Sequence, residues 1–310
     1  MLKYLVILLD DTAVPFCHYS TRGRKPKLIG LEDLAKAIRF GMKENLMIQF
    51  VYPDSELPAE HEELIDTIDH VSIKPATLAG AEDIPVGSPA DFAGKDSATN
   101  AVLMLSLSEL TEKFDEIAAF VTQKERTNIV LTDISELSDS DLGKYGKILD
   151  WFVGFLSAHV KDGGRLPQVN ILTDRMMLTV MNNCNAGYES ITLAPDGKFY
   201  VCPAFYYGGK ADCGSLSEGL NIRNPQLYRL DHAPICRKCD AWHCRRCVWL
   251  NEEKTLEVNT PGHIQCMVSH LERNASRKLL EAIRENGEFM PGTEIPEVSY
   301  LDPFETLKYE

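Results

Sequence analysis

The chain has 310 residues, of which 44% are hydrophobic and 25% are charged, a composition typical of a globular protein with one large core or two domains. Its formal net charge of −14 argues against a generic binder of nucleic acid or of anionic membranes, because such partners select basic surfaces. No stretch approaches the roughly 18 apolar residues of a membrane span, and two aspartates interrupt the first apolar run. We therefore expect a cytoplasmic protein with neither a nucleic-acid nor a membrane partner.

Short apolar segments rich in β-branched residues predict strands in the first 175 residues. Helix-length segments separate most of them, and in the first of these the apolar side chains from Leu31 to Met42 share one face. Strands this apolar are typical of a buried parallel sheet covered by helices. The alternation predicts an α/β fold, either an open partial barrel or a doubly wound sheet. The predicted strands are residues 3–9, 47–52, 70–74, 101–107, 128–133 and 169–174.

The chain changes character twice after these units. Residues 76–100 are rich in Gly, Ala, Pro and Asp and are interpreted as a loop or an insertion. From about residue 181 periodicity weakens and cysteines accumulate until a final helix, for which Thr260 is the expected cap and Pro261 the expected first residue. We expect an α/β domain over residues 1–180, a Cys-rich domain over 181–286 and a tail over 287–310.

Eight of the nine cysteines fall between residues 184 and 266. Disulfides are uncommon in the cytosol, so metal or redox chemistry is the leading interpretation. Cys239 and Cys244 are separated by four residues, whereas zinc ribbons usually place their paired cysteines about 15–20 residues apart. Upstream, Gly197 lies in a turn between two strand-like runs, and the resulting hairpin would bring Cys184 and Cys202 together.

The cysteine pattern resembles the SPASM domain of radical SAM peptide-modifying enzymes. Cys184, twelve residues, Gly197, four residues and Cys202 match the first half of that family pattern. In the second half, two intervals are one residue shorter than in the family. Its members here are Cys236, Cys239, Cys244, Cys247 and Cys266.

The resemblance implies two auxiliary [4Fe–4S] clusters. It assigns Cys184, Cys202 and Cys247 to the first cluster, with Cys213 as a candidate fourth ligand. The second cluster would be held by the remaining four cysteines of the region, and nearby Arg and Lys side chains would offset its negative charge. A structural zinc domain is the alternative, because spacing alone does not identify the metal. The implied second set is Cys236, Cys239, Cys244 and Cys266.

Radical SAM enzymes carry a C-x3-C-x2-C loop after the first strand, and here that loop is degenerate. Cys17 takes the place of the third cysteine, whereas Asp10 and Val14 stand at the two earlier positions. The resemblance therefore implies a partial (β/α)6 barrel of radical SAM type, followed by a small SPASM domain, without S-adenosylmethionine chemistry of its own. A lone cysteine such as Cys17 is more often a small buried apolar residue than a ligand.

Segments 5–20, 42–54 and 247–276 resemble the CXXX repeat peptide maturase family. This resemblance implies maturation of a ribosomally made, Cys-rich precursor peptide, either as a cluster-bearing maturase or as an accessory to a partner radical SAM enzyme. A zinc-stabilised adaptor without catalytic activity and an iron–sulfur redox sensor are the alternatives. Carboxylates at predicted strand ends could line a peptide or metal site, although capping of the next helix is their commoner role. These are Asp10, Asp11, Asp54, Asp133 and Asp174.

Overall fold

The computed structural model describes residues 2–21, 24–93 and 99–297. The strands in these residues are β1 (Tyr4–Leu8), β2 (Met47–Val51), β3 (Val71–Pro75), β4 (Ile84–Gly87), β5 (Asn100–Leu105), β6 (Arg126–Leu131), β7 (Gln168–Val169), β8 (Ser190–Leu193), β9 (Phe199–Tyr200), β10 (Gly214–Ser215) and β11 (Gly219–Leu220). The α-helices are α1 (Leu31–Lys43), α2 (Ala59–Ile65), α3 (Leu107–Glu112), α4 (Phe114–Thr122), α5 (Asp139–Lys161), α6 (Asp174–Met177), α7 (Pro203–Tyr207), α8 (Val248–Thr255) and α9 (His263–Arg284).

The chain forms two compact units, and both are discontinuous in sequence. The first unit comprises residues 1–104 and 184–237, and the second comprises residues 105–183 and 238–310. The structure shows a mixed α/β fold with a parallel sheet, as expected from the alternating segments. The predicted division into residues 1–180, 181–286 and 287–310 follows chain order and stays a prediction. The tail is described only as far as residue 297.

In the first unit, β1 lies between β2 and β8 and runs parallel to both. Leu5 stands opposite Ile48 on one side and Ile191 on the other, and all three side chains are buried. Strands β3, β4 and β5 extend the sheet beyond β2, whereas β9 pairs with β8 in the antiparallel direction. Burial on both sides accounts for the nearly continuous apolar sequence of β1.

The second unit is built on the long helices α5 and α9, which pack against one another. Tyr145, Phe152 and Leu156 on α5 and Leu279 on α9 are fully buried. The short parallel pair β6 and β7 belongs to the same unit. None of the helices in the described residues is both long enough and apolar enough to cross a membrane.

Three elements differ from the sequence-based expectations. Strand β4 lies inside the segment interpreted as a loop, where it pairs with β3 and β5 despite Pro85 and Gly87. Strand β7 is shorter than expected, because the Asn170 side chain takes over hydrogen bonding to both backbone groups of Ile129. Helix α9 begins at His263, after the predicted start at Pro261.

The hairpin predicted around Gly197 is confirmed. Strands β8 and β9 are antiparallel, and Leu193 stands opposite Phe199. Gly197 has φ of +78°, which glycine adopts without the steric penalty that a Cβ would bring. The hairpin leads directly into α7, whose N-cap is Cys202.

Candidate functional site

The loop that follows β1 contains a single cysteine, Cys17, and hydrogen bonds within the protein hold its conformation. Asp10 is buried, and its Oδ1 accepts hydrogen bonds from the backbone N–H of Thr12 at 2.8 Å and from its hydroxyl at 2.6 Å. The backbone N–H of Val14 donates to the carbonyl oxygen of Tyr52 at 2.8 Å. The loop conformation is therefore held by protein hydrogen bonds at Asp10 and Val14, the two positions that the sequence resemblance aligns with cysteines.

An arginine and three tyrosines attach this loop to α7. The hydroxyl of Tyr206 donates to the Asp11 carboxylate, and burial together with this carboxylate raises the pKa of Tyr206. Arg24 Nη2 donates to the carbonyl oxygens of Tyr206 and Tyr207 at 3.0 and 2.8 Å, and its guanidinium lies over both rings. Tyr19 stacks on Tyr207 with ring centroids 5.4 Å apart.

The cysteines of the first unit differ widely in exposure. Cys184 is exposed, whereas Cys213 is buried, and burial raises the pKa of the Cys213 thiol. The Tyr19 hydroxyl is buried, and burial raises its pKa, with a smaller contribution from the Cys17 thiol.

In the second unit, the thiols of Cys239 and Cys244 interact electrostatically. Each sulfur accepts a backbone hydrogen bond, from the N–H of Ala241 and from that of Arg246, both at 3.4 Å. The Sγ of Cys239 is also 3.5 Å from Nε2 of His270 on α9. Burial raises the pKa values of both thiols.

Helix α9 contributes buried polar side chains beside these thiols. Arg273 is completely buried and donates a hydrogen bond to the Asp240 carboxylate. The backbone carbonyl oxygen of Asp240 also accepts a hydrogen bond from Arg175 Nε at 2.6 Å. The Arg175 guanidinium lies over the Trp242 ring, 4.0 Å from its centroid. No pattern in the sequence indicated the roles of Arg175, Asp240 and Arg273.

A second buried network on α9 surrounds a carboxylate. Glu272 accepts from the Tyr145 hydroxyl at 2.6 Å and lies 3.0 Å from Nε2 of His243. All three side chains are buried. His243, which neighbours a cysteine in sequence, therefore contacts a carboxylate of the helix.

Metal binding requires several ligand side chains to converge on one point. Among the residues of ranges 2–21, 24–93 and 99–297, no three His, Cys, Asp or Glu side chains converge closely enough to hold a metal ion. Cys236 lies in the first unit and Cys247 and Cys266 in the second, and the ligand sets implied by the resemblance stay predictions.

The carboxylates at strand ends mostly have structural partners. Asp133 accepts from the backbone N–H of Leu107 at 3.1 Å and so supports the start of α3. Asp174 forms two hydrogen bonds with Arg126, of 3.0 and 2.8 Å. Asp54 is exposed at the end of β2. These observations favour the structural interpretation for Asp133 and Asp174.

Comparison with solved structures identifies proteins of similar fold. Native anSMEcpe with bound AdoMet and Kp18Cys peptide superposes with a TM-score of 0.63 at 12% identity, covering 91% of this chain and 99% of that one. SuiB of Streptococcus suis bound to precursor peptide SuiA gives a TM-score of 0.52 at 12% identity, covering 85% of this chain and 76% of that one. No protein-family model matches the sequence, and no curated protein is significantly similar to it.

Both solved proteins are radical SAM peptide-modifying enzymes. At 12% identity the similarity shows a shared fold and carries no residue-level assignment. The chain therefore shares its fold with these two enzymes.

Proposed function

We propose that this protein binds a ribosomally made, Cys-rich precursor peptide and takes part in its maturation. The observation that carries the proposal is the extent of the fold similarity: 91% of this chain and 99% of anSMEcpe, whose structure contains a bound Kp18Cys peptide. SuiB, with its precursor peptide SuiA, adds a second example of peptide binding on a related fold. A CXXX repeat peptide is the proposed substrate, on the strength of the sequence resemblance.

Within this proposal, the first part of the chain corresponds to a partial radical SAM-type barrel and residues 181–286 to a SPASM domain. Two sets of cysteines are proposed to hold iron–sulfur clusters, because thiolates are the ligands of such clusters. The first set is Cys184, Cys202 and Cys247, with Cys213 as the candidate fourth ligand. The second set is Cys236, Cys239, Cys244 and Cys266.

The protein is proposed to act without radical initiation of its own. Asp10 and Val14 offer no thiolates to a catalytic cluster, and hydrogen bonds within the protein hold both positions. Asp11, Tyr206 and Arg24 further tie the loop to α7. Maturation would therefore require a partner radical SAM enzyme, with this chain presenting the peptide.

The test is binding of a synthetic CXXX repeat peptide, measured by fluorescence anisotropy under anaerobic conditions. The matched control is the same peptide with every Cys replaced by Ser. We expect the Cys peptide to bind at least tenfold more tightly. Equal affinities would contradict recognition of the cysteines, and absence of binding by either peptide would contradict the proposed function.

A zinc-stabilised adaptor without catalytic activity is the second candidate function. The approach of His270 to Cys239 favours it, because mixed Cys and His donors are typical of structural zinc sites. This candidate predicts that peptide binding survives growth under iron starvation. A protein that needs an iron–sulfur cluster to bind peptide would lose affinity under the same treatment.

A further inference from the structure

A groove of about 840 Å³ lies on the surface of the second unit, where the end of α3 and the start of α4 face the middle of α5. Ligand pockets commonly have volumes of about 300–1,000 Å³. Aromatic rings and carboxylates line this groove together, and it shares no residue with the cysteine-rich segments. The aromatic residues are Phe114, Trp151 and Phe155, and the acidic residues are Glu112, Asp115, Glu116 and Asp150.

Trp151 is the only aromatic side chain of the described residues that is classed as exposed, with 51% of its surface accessible. Its ring contacts Phe114 edge to face, with centroids 5.7 Å apart, and Phe114 packs in the same way against the buried Phe152 at 4.8 Å. Exposure of so large an apolar ring is unfavourable, and tryptophan is enriched among the residues that dominate protein interfaces. Trp151 therefore presents an oriented aromatic surface to a partner.

A glycine leaves the groove open beside Trp151. Gly154 lies three residues farther along α5, on the same face of the helix. A Cβ added at Gly154 would meet no atom within 4 Å. Glycine is less favourable than alanine inside a helix, so helix stability does not account for its presence. A large side chain at this position would fill the groove without displacing its neighbours.

The charges of the groove indicate which ligand it would accept. Asp115 and Glu116 are exposed in the first turn of α4, and Asp150 pairs with Lys278. In a chain with a net charge of −14, carboxylates alone would not mark a site. Their position around an oriented tryptophan does, because carboxylates and the face of an indole both attract a cation. A guanidinium group suits both, since it pairs with carboxylates and stacks on aromatic rings.

We propose that this groove docks an arginine-bearing segment of a partner protein. The guanidinium would lie over the Trp151 ring with its donors toward Asp115 and Glu116, and apolar parts of the segment would contact Phe114 and Phe155. The same carboxylates repel nucleic acid and anionic lipid. This docking surface goes beyond the proposed maturation of a CXXX repeat peptide and does not depend on it.

The test is fluorescence anisotropy of a labelled peptide of four Gly-Arg repeats, with the full-length protein in about 0.15 M salt to screen long-range attraction. The control peptide carries citrulline, an uncharged isostere of arginine, and should bind at least tenfold more weakly. Gly154→Trp should weaken binding of the Arg peptide at least tenfold, because the new ring fills the groove. Gly143→Trp is the matched control at another open position of α5 and should leave the affinity unchanged.

Gly154→Trp changes no charge, so non-specific attraction of the Arg peptide to an acidic protein would survive it. A second pair of variants tests the carboxylates without adding volume. Asp115→Asn combined with Glu116→Gln should weaken binding about fivefold, the scale of two exposed charge pairs. Glu60→Gln combined with Glu63→Gln, at exposed positions of α2, removes the same charge and should have no effect. Urea unfolding of each variant confirms that it is folded.

The proposal would be overturned by absence of binding of the Arg peptide, by equal affinity for the citrulline peptide, or by equal effects of Gly154→Trp and Gly143→Trp. Unchanged affinity in the Asp115 and Glu116 variant would also overturn it. Displacement of the peptide by an equal concentration of spermine would assign the groove to a free polyamine instead. Binding of the CXXX repeat peptide should be unchanged in Gly154→Trp, so the two proposals can fail separately.

Discussion

Tyr206 and Tyr207 are adjacent on α7, yet their hydroxyl groups have different surroundings. The Tyr206 hydroxyl donates to the Asp11 carboxylate, whereas the buried Tyr207 hydroxyl has no partner among the described residues. A hydrogen bond to a charged group typically contributes about 1.5–3 kcal/mol. The two residues therefore form a matched pair for measuring how α7 holds the loop after β1.

We predict that Tyr206→Phe lowers the free energy of unfolding by about 1.5–3 kcal/mol, because it leaves the Asp11 carboxylate without its donor. Tyr207→Phe removes a hydroxyl without a partner and should leave stability unchanged or raise it slightly. Urea denaturation of both variants provides the measurement. Equal changes in the unfolding free energy of the two variants would contradict a contribution from the hydrogen bond between Tyr206 and Asp11.

At this scale, the sequence shows which residue types are present and at what spacing, but not which side chains meet. The cysteine spacings can be read directly from it, and the sequence resemblance aligns Asp10 and Val14 with cysteines. The contact of Cys239 with His270 joins residues 31 positions apart, so no local pattern indicates it.

Among the elements, α3 has a well-defined capping box. The Glu109 carboxylate accepts from the backbone N–H of Ser106 at 2.8 Å and from its hydroxyl at 2.9 Å. These hydrogen bonds hold the pKa of Glu109 below its ordinary value of 4.5. A carboxylate with a lowered pKa stabilises the folded state above its unfolded pKa, and this contribution is lost as the pH falls through the folded value.

We predict that Glu109→Gln lowers the free energy of unfolding by about 0.5–1 kcal/mol at neutral pH, because the charged cap is lost. The difference from wild type should shrink as the pH falls from about 5 to 3. Glu112→Gln, on the same helix, is the control, because its carboxylate accepts from the exposed Ser108 hydroxyl at 2.8 Å. Denaturation at several pH values would show a constant difference if Glu109 acted through packing alone.

On helix α9, a buried and an exposed residue stand next to each other and are predicted to contribute differently to stability. Leu279 is fully buried, whereas its neighbour Lys278 is exposed and pairs with Asp150. Leu279→Ala should cost about 2–5 kcal/mol of unfolding free energy, since it removes buried side-chain volume. Lys278→Ala should cost less than about 1 kcal/mol, the usual worth of an exposed ion pair. Thermal or urea unfolding measures both, and similar losses would contradict the burial of this face.

The elements that sequence reasoning missed share a physical cause. Pro85 and Gly87 weaken any strand signal, yet β4 is stabilised by neighbours on both sides. The Asn170 side chain forms both hydrogen bonds with the Ile129 backbone that a neighbouring strand would otherwise form. The pattern of apolar residues does not predict such a contact. The strands around them were predictable, because burial on both faces selects continuous β-branched sequence.

The whole chain shares its fold with anSMEcpe, and the sequence resemblance aligns Asp10 and Val14 with two cysteines of a cluster-binding loop. We predict that the anaerobically purified protein does not cleave S-adenosylmethionine when dithionite supplies electrons. Mass spectrometry of 5′-deoxyadenosine is the measurement, with an active radical SAM enzyme as the positive control. Product above the protein-free blank that disappears in Cys17→Ala would show that the loop still supports a catalytic cluster.

The parallel pairing of β1 with β8 has a consequence for biosynthesis. Tyr4 meets Ser190 in that pair, 186 residues farther along the chain, so one edge of β1 stays without its partner until that stretch has been made. At roughly 5–20 residues per second, that interval lasts about 10–40 s. An apolar strand with an open edge is a template for wrong pairing throughout this time. The nascent chain should therefore depend on chaperones at the ribosome, and slowing its translation should increase aggregation.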